Sequence, residues 1–386
     1  MERIIILVGI IILFNSCSKD NPVTPQEPQI CTYQEGDRNY TWRMDTIAIF
    51  PSWLGGIWAF SDSDAYVMGD IFQLDSNGIR KGYIGLHWDG NHWSKDINGT
   101  VEEIRHVAND VTGDDFYMVS VGNWAINPSK PGIGEFDNRT KKWKGYQFST
   151  AGELRSVWTD EKGYFVAVGD NGMVYTKDGY TASWVYSKAP TEFNFTKVRG
   201  ISKNEIYVYA YKSVAVGGLN YYQLWRHYDN IWTKLFDSQD SIGNHLDIPV
   251  NSGYSVYSDI AVSRCAFTDS LTIYLSGWES YMFQSKGSEL KYKATNLEEL
   301  GYPLRSLERM GLSIKLFSPN DYWIFGSYYL YAHYNGKNFE LVNITELVPY
   351  SYYSTFRKMV KTKSKKIFLA VDRSSQVYAV VQGNKQ

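Results

Sequence analysis

The sequence predicts an all-β protein built as a closed ring of seven four-stranded sheets, and three observations support this prediction. Seven segments of the 386-residue chain repeat one pattern of strand, short polar turn, second strand and glycine. Tight turns flanked by aromatic residues join the further strands of each unit. An isolated strand near the amino terminus supplies what the last unit lacks. Repeats of this length and strand content are typical of a β-propeller.

The residue that ends the second strand, usually glycine, sets the length of the repeat. Successive equivalents lie 53, 47, 41, 67, 49 and 45 residues apart, which fits a four-stranded propeller blade. Six or eight blades stay open as alternatives, because the 67-residue interval is irregular. The equivalent positions are Gly69, Gly122, Gly169, Ala210, Gly277, Gly326 and Val371, in segments that begin at Ile57, Val107, Val157, Val198, Ile260, Ile314 and Met359.

Turn chemistry predicts the outer strands of each blade. Asp-Gly or Asn-Gly between aromatic residues, as in Trp88–Trp93 and Tyr334–Phe339, supplies the positive φ that tight hairpins need. The chain contains 31 Tyr and 13 Trp, and such amphipathic rings suit half-buried strands. Residues 296–309 are the one segment with room for a short helix.

The two ends of the chain are predicted to share one blade. The seventh repeat ends with Gln376–Gln382 and has room for three strands only, whereas Tyr40–Ile47 is a strand without a blade of its own. Pairing these two segments completes the seventh blade and protects both strand edges.

One turn supports this fold by resemblance. Thr176–Trp184 is similar to an Asp box, Ser-x-Asp-x-Gly-x-x-Trp, although Gly179 is one place early and Trp184 is late. Over residues 37–386 the chain resembles exported propellers with photosystem II assembly-factor-like and sialidase-like repeats. The resemblance implies that the box is a folding turn remote from any catalytic site.

The amino terminus resembles that of a bacterial lipoprotein. The apolar run 4–14 has the length of a signal-peptide core and is too short to span a bilayer. Ser16-Cys17 then resembles a lipobox, which implies removal of the signal peptide and acylation of Cys17, with palmitate among the attached chains. Ser18 implies sorting to the outer membrane, facing the periplasm or the cell surface. An ordinary secretory signal or an uncleaved anchor is the alternative.

These features divide the chain into three parts. Residues 1–16 are predicted to be the signal peptide, residues 17–36 the acylated cysteine with a disordered, proline-containing tether, and residues 37–386 the propeller. Cys31 and Cys265 could pair in an oxidising compartment. Their spacing does not require a bridge, so we expect a free, buried Cys265.

Composition and motifs argue against several function classes. A formal net charge of -2 gives no general attraction to nucleic acid, and we expect none to bind. The sequence contains no nucleophile elbow, phosphate loop or zinc signature, so we expect no cofactor and no metal. The carboxylates that open second strands, Asp64, Glu205 and Asp321, are expected to bond turn amides.

Connection lengths predict which face of the ring is functional. Connections from second to third strand, and from blade to blade, share one face, and most of the long ones belong to this class; we call it the long-loop face and its opposite the short-turn face. Loops on a rigid scaffold concentrate binding residues. The long connections are Asp70–Lys81, Asn123–Pro131, Tyr211–Gly218, Asp237–Ser255, Thr295–Gly311 and Asn343–Thr355. The predicted ligand-binding residues are Asp70, Asn123, Trp124, Asp170, Asn171, Lys212, Trp278, Glu279, Tyr328, Asp372 and Arg373.

The sequence therefore favours a non-enzymatic binding or assembly module, held at the membrane by its lipid anchor, for a protein or glycan that the sequence does not identify. The alternative is a sialidase-like glycoside hydrolase or lyase, which needs several arginines around one anion. The candidates are Arg199, Arg226, Arg305 and Arg373. A purely structural envelope protein is the third possibility.

Overall fold

A computed structural model gives the structure of this chain. It describes residues 33–95, 106–124, 127–213, 220–239, 245–246, 257–265, 268–277, 280–286, 293–297, 313–325, 330–343, 354–373 and 377–386. The predicted signal peptide and Cys17 lie outside the described residues, as does most of the predicted helical segment 296–309.

The described strands form seven four-stranded antiparallel blades. Strands are given from the innermost outward. Blade 1 contains the second half of β1 (Tyr40–Ser61), β2 (Asp64–Leu74), β3 (Arg80–Trp88) and β4 (Trp93–Ser94), and blade 2 contains β5 (His106–Gly113), β6 (Tyr117–Trp124), β7 (Asn127–Asp137) and β8 (Lys142–Gln147). Blade 3 contains β9 (Leu154–Thr159), β10 (Tyr164–Gly169), β11 (Met173–Asp178) and β12 (Val185–Lys188). A 3-10 turn, Asp170–Gly172, joins β10 to β11.

Blades 4 to 7 continue the same order. Blade 4 contains β13 (Asn194–Ser202), β14 (Glu205–Ser213), β15 (Asn220–Tyr228) and β16 (Ile231–Asp237), and blade 5 contains β17 (Tyr257–Cys265), β18 (Ser270–Gly277), β19 (Tyr281–Lys286) and β20 (Lys293–Asn296). Blade 6 contains β21 (Ser313–Ser318), β22 (Asp321–Phe325), β23 (Leu330–Tyr334) and β24 (Phe339–Asn343). Blade 7 contains β25 (Ser354–Lys361), β26 (Ile367–Arg373), β27 (Val377–Lys385) and the first half of β1.

The two chain ends share blade 7, as the sequence predicted. The first half of β1 pairs antiparallel with β27, from Tyr40 opposite Lys385 to Ile49 opposite Val377. The second half of the same strand is the innermost strand of blade 1. The innermost strands contact one another in the order β1, β5, β9, β13, β17, β21, β25, and β25 contacts β1 again. The ring is closed.

The hydrophobic core is divided among the seven interfaces between neighbouring blades. Each of seven clusters of buried apolar side chains combines residues from two adjacent blades. Between blades 3 and 4, for example, Val166 and Val168 pack with Val198 and Val208. A blade alone would expose both apolar faces, so only closure of the ring buries them all.

A β-bulge in the innermost strand explains the repeated glycine. The ladder to the second strand shifts register there in blades 1 to 5 and in blade 7. The second strand then passes so close that a Cβ on Gly69 or Gly169 would lie 1.9 Å from a backbone carbonyl oxygen of the innermost strand. The pairing also makes Val111, rather than Val107, the equivalent of Ile57.

Several predicted long connections are instead protruding hairpins. Pairing resumes beyond the bulge, so only residues 75–79 join β2 to β3, and only residues 125–126 separate β6 from β7. Asp70, Asn123 and Lys212 therefore lie within strands that extend past the body of the ring.

The turn that resembles an Asp box lies between β11 and β12 on the short-turn face. Gly179 adopts a φ of +106°, which a residue with a Cβ rarely does. Trp184 is buried, and its Nε1 donates to Glu135 of blade 2 at 2.7 Å. Lys177 Nζ contacts the same carboxylate at 2.6 Å. The turn therefore joins two blades.

Residues 33–39 dock on the short-turn face before β1 begins, and we call them the strap. The Gly36 N–H donates to the carbonyl oxygens of Asn320 and Asn335, both at 3.2 Å. Asn320 in turn donates its side-chain amide to the Tyr33 carbonyl at 3.0 Å. Ion pairs join the strap to the same face: Glu35 with Lys337, Asp37 with Lys365 and Lys385, and Arg38 with Glu340.

Cys265 ends β17 on the short-turn face and is 7% exposed. It is disulfide-bonded, so the expectation of burial is confirmed and that of a free thiol is wrong. The two other cysteines of the chain, Cys17 and Cys31, lie outside the described residues. Sequence spacing could not reveal the bond, because a disulfide depends on which cysteines lie close together in the folded chain.

Candidate functional site

The innermost strands surround a central channel lined by two rings of side chains. The upper ring lies nearer the long-loop face and contains one residue from the innermost strand of each blade. That residue pairs with the second-strand residue directly before the repeat glycine or its equivalent. The upper ring is Gly56, Asp110, Ser156, Lys197, Asp259, Ser313 and Lys358. The lower ring consists of the residues two positions further along the innermost strands of blades 1 to 6. They are Trp58, Thr112, Trp158, Arg199, Ala261 and Lys315.

Asp110 bonds its own strand and the next blade through one buried carboxylate. One oxygen accepts the N–H of Val111 at 2.8 Å. The other accepts the Ser156 hydroxyl at 2.8 Å and the Val157 N–H at 3.1 Å. A bulge re-aims the side chain that follows it, which is how a strand residue comes to bond a neighbouring blade.

Lys358 of blade 7 completes this contact across the ring. Its Nζ donates to the carboxylate of Asp110, reaching past blade 1, where the upper ring has only Gly56. Burial opposes the charge of Asp110, but the cations Lys358 and Lys197 outweigh burial and hold its pKa well below the ordinary value. Burial also lowers the pKa of Lys358. One carboxylate thus joins blades 2, 3 and 7.

Asp259 repeats the arrangement in blade 5. Its carboxylate accepts the N–H of Ile260 at 2.9 Å, the Ser313 hydroxyl at 2.7 Å and the Ile314 N–H at 3.3 Å. Arg199 supplies the cation, with its Nη2 3.1 Å from the carboxylate. In blades 2 and 5, an aspartate of the innermost strand therefore accepts the same two kinds of hydrogen bond from the next blade, one from a serine hydroxyl and one from a backbone amide.

Two further cations in the channel have no ion pair within the described part of the chain. Lys197 belongs to the upper ring and Lys315 to the lower ring, and both line the same cavity. Burial, followed by the charges of Lys358 and Arg199, lowers the pKa of Lys315 to about 8. The wall of the channel therefore carries positive charge that its own carboxylates do not neutralise.

This cavity holds about 510 Å³ of space between protein atoms, part of which is continuous with bulk solvent. Its charged lining consists of four cations and two carboxylates, a net charge of +2, and apolar surface comes from Trp158, Phe325 and Met359. Toward the short-turn face, the channel continues past the lower ring to Glu161. The arrangement is suited to a small anion, since fixed cations and a partly apolar wall face one enclosed space.

The predicted ligand-binding residues lie elsewhere, at the long-loop edges of the blades. Of those described, none lines the channel cavity. Asp170 is held in place by Arg155, whose Nε lies 2.7 Å away, and burial raises the pKa of Asp70. Asn171 and Lys212 are exposed. Asn123 and Trp124 end β6, Asp372 and Arg373 end β26, and Trp278, Glu279 and Tyr328 lie outside the described residues.

The predicted arginine cluster does not form between the two arginines whose side chains are described. Arg199 lines the channel. Arg226 is buried within blade 4, with its Nη2 2.7 Å from Glu205, which also binds Arg264 at 2.6 Å. Arg305 lies outside the described residues.

The carboxylates at the starts of second strands have different partners from those expected. Rather than turn amides, each binds a cationic or histidine side chain on the third strand of its blade and a second cation. The sets are Asp64 with His87 and Lys141, Glu205 with Arg226 and Arg264, and Asp321 with His333 and Lys361. The cross-strand neighbours decide this, since they lie closer than the turn.

Sequence reasoning missed both rings of the channel. A signal existed, because the residue directly before the apolar residue that starts each repeat is polar in six of the seven blades. Aligning the second repeat on Val111 changes the member of that column in blade 2 from His106 to Asp110. Nothing in the strand periodicity distinguishes these polar positions from solvent-facing ones.

Comparisons with known proteins agree on the fold alone. No family model and no curated protein sequence matches the chain. Among solved structures, YCF48 bound to D1 peptide is similar with a TM-score of 0.55 and 12% identity, over 91% of this chain and 99% of that one. YCF48 from Cyanidioschyzon merolae gives 0.52 and 13%, over 88% and 98%. The extracellular domain of BT4673 from B. thetaiotaomicron gives 0.51 and 13%, over 91% of this chain and 40% of that one.

Two features are absent from the described residues. No helix there has the length and hydropathy of a membrane span. No group of three or more His, Cys, Asp or Glu there is arranged to hold a metal ion. What the geometry and the structural neighbours establish together is a seven-bladed β-propeller.

Proposed function

We propose that this protein is an envelope-anchored, non-enzymatic binding module that recognises a protein partner with its long-loop face. Exposed apolar side chains on blade 1 carry the proposal. Phe50 and Trp53 of β1 are 59% and 39% exposed, and Leu74 and Ile79, at the tip of the β2–β3 hairpin, are 58% and 54% exposed. Apolar surface of this kind on a protruding element is typical of protein-binding sites.

The position of the strap supports an anchor on the opposite side. The strap lies on the short-turn face, so the chain toward Cys17 leaves from that face. The 16 residues from Cys17 to Tyr33 can span at most about 58 Å when extended. With Cys17 acylated at the outer membrane, this tether joins the ring on the face opposite the hairpin of blade 1.

The titration of the carboxylates favours binding over hydrolysis. A glycosidase needs two carboxyl groups, one of them protonated at working pH. Burial raises the pKa of Asp70 at the long-loop edge, whereas the cations Lys358 and Lys197 hold the pKa of Asp110 in the channel well below its ordinary value, so these two carboxyls do not form such a pair. The structural neighbour YCF48 was solved with a peptide bound, and this supports recognition of a peptide or protein by the present chain.

Site-specific photo-crosslinking tests the proposal in intact cells. A photoreactive residue in place of Leu74 should give a discrete cross-linked protein species. The matched control is Ile231, which is 66% exposed and begins β16 beside the turn on the short-turn face. Equal crosslinking from both sites, or crosslinking from Ile231 alone, would contradict the proposed binding face.

The anchor is tested separately. Cys17→Ala should release the protein from membranes into the soluble envelope fraction, because acyl chains supply the membrane affinity of a lipoprotein. A variant that stays in the membrane fraction after a high-salt wash would count against lipidation. Crosslinking from Leu74 does not depend on this result.

A further inference from the structure

The channel lysines provide an inference that does not depend on a protein partner. Lys358 faces Asp110 and Arg199 faces Asp259, so each carboxylate already has its cation. Lys197 and Lys315 line the same cavity without an ion pair among the described residues. Of the carboxylates that line the cavity and its continuation, Glu161 alone is not already bonded to a cation among the described residues, and it lies toward the short-turn face without an ion pair to Lys315.

We propose that the central channel binds a small dicarboxylate. The two unpaired lysines belong to different rings and to blades 4 and 6, with blade 5 between them. Charges so separated match two carboxylates joined by a short carbon chain better than one compact oxyanion such as phosphate. A lysine ammonium binds such a group as a point charge and demands no planar, bidentate geometry.

The rest of the cavity fits the same ligand. The cavity is open to solvent, so a small molecule can enter it, and Trp158, Phe325 and Met359 offer apolar contact to a short carbon chain. The hydroxyl of Ser313 faces the cavity and already donates to Asp259, so it is left with acceptor capacity only. Recognition of the carboxylates therefore rests on the two lysines.

Titration calorimetry on the full chain, solubilised from membranes in detergent, tests the proposal. Succinate and glutarate are the probes, acetate and inorganic phosphate are the comparison anions, and sodium chloride keeps the ionic strength constant. We expect a dicarboxylate to bind more tightly than either comparison anion, and binding to weaken as salt is raised. No dicarboxylate binding below about 10 mM, or tighter binding of phosphate, would overturn the proposal.

Substitutions locate the site. Lys315→Met and Lys197→Met should each weaken dicarboxylate binding about tenfold or more, the effect of losing one charge-assisted hydrogen bond. Lys315→Arg should retain much of the affinity because it keeps the charge. Lys142→Met is the control, since Lys142 is exposed on the outermost strand of blade 2, outside the channel.

Folding of the variants is checked by thermal melting without ligand. Lys315→Met should melt no lower than the parent, because the substitution relieves a buried charge beside Arg199 and Lys358. A folded Lys315→Met protein that binds dicarboxylate as tightly as the parent refutes the assignment. Should it fail to fold, Lys197→Met with Lys315→Arg decides the question by the same comparison.

Discussion

Asp110→Asn tests whether the channel carboxylates hold the blades together. The Asp110 side chain is about 5% exposed and accepts bonds from a lysine, a hydroxyl and two backbone amides. An asparagine of the same size keeps one acceptor oxygen, loses the charge and leaves Lys358 buried without its anion. Removing one partner of a buried ion pair costs about 3–5 kcal/mol of unfolding free energy.

The matched control is Asp115→Asn. Asp115 pairs with Lys363 on the surface, where the two side chains are 57% and 84% exposed. An exposed pair contributes at most about 1 kcal/mol. Urea unfolding followed by tryptophan fluorescence measures both variants. A loss of unfolding free energy below about 1 kcal/mol for Asp110→Asn would refute the reasoning, because the carboxylate would then stabilise the fold no more than an exposed ion pair does.

The pH dependence gives a second check on the same residue. The pKa of Asp110 is lowered in the folded state, so its contribution to stability is fully present above the unfolded value of about 3.9 and is lost as pH falls through the folded value. The difference between parent and Asp110→Asn should therefore shrink below about pH 4. Adding Lys358→Met should recover part of the loss, because no buried charge is then stranded.

Three further outcomes follow from contacts elsewhere in the ring. Peptide mapping without reduction should find Cys265 joined to Cys31, since the strap docks on the same face two residues beyond Cys31; an alkylated Cys265 in unreduced protein would contradict this. Deletion of residues 377–386 should abolish cooperative unfolding, because both edges of blade 7 are then open, and an unchanged urea midpoint would argue otherwise. Glu135→Gln should lower the unfolding free energy by about 3 kcal/mol, because Lys177, 2% exposed, loses its anion; a loss under 1 kcal/mol, about that of a surface pair, would be inconsistent.

Local sequence signals were sufficient for the fold because they recur. The repeat glycine reports a close passage of two strands, where a Cβ on Gly69 has only 1.9 Å of room, although blades 4 and 7 accommodate Ala210 and Val371 at the equivalent position. Closure was predictable for a similar reason. A strand with no blade at one end and a blade with three strands at the other leave one pairing that protects both edges.

The channel could not be predicted in the same way. Lys197 and Lys315 come from strands more than a hundred residues apart, and whether they share a cavity depends on the curvature of the ring and, for Lys197, on the bulge that precedes it in β13. The partners of Glu205 were likewise set by the third strand and the next blade, not by the turn beside it.

The sequence by itself thus predicted the kind of unit and the way the ring closes, and favoured seven units over six or eight, because short-range patterns repeated along the chain carry this information. Only the tertiary structure decided which polar side chains meet, that Cys265 is disulfide-bonded and which face carries the strap. Those outcomes depend on distances between blades, and no local pattern encodes such distances.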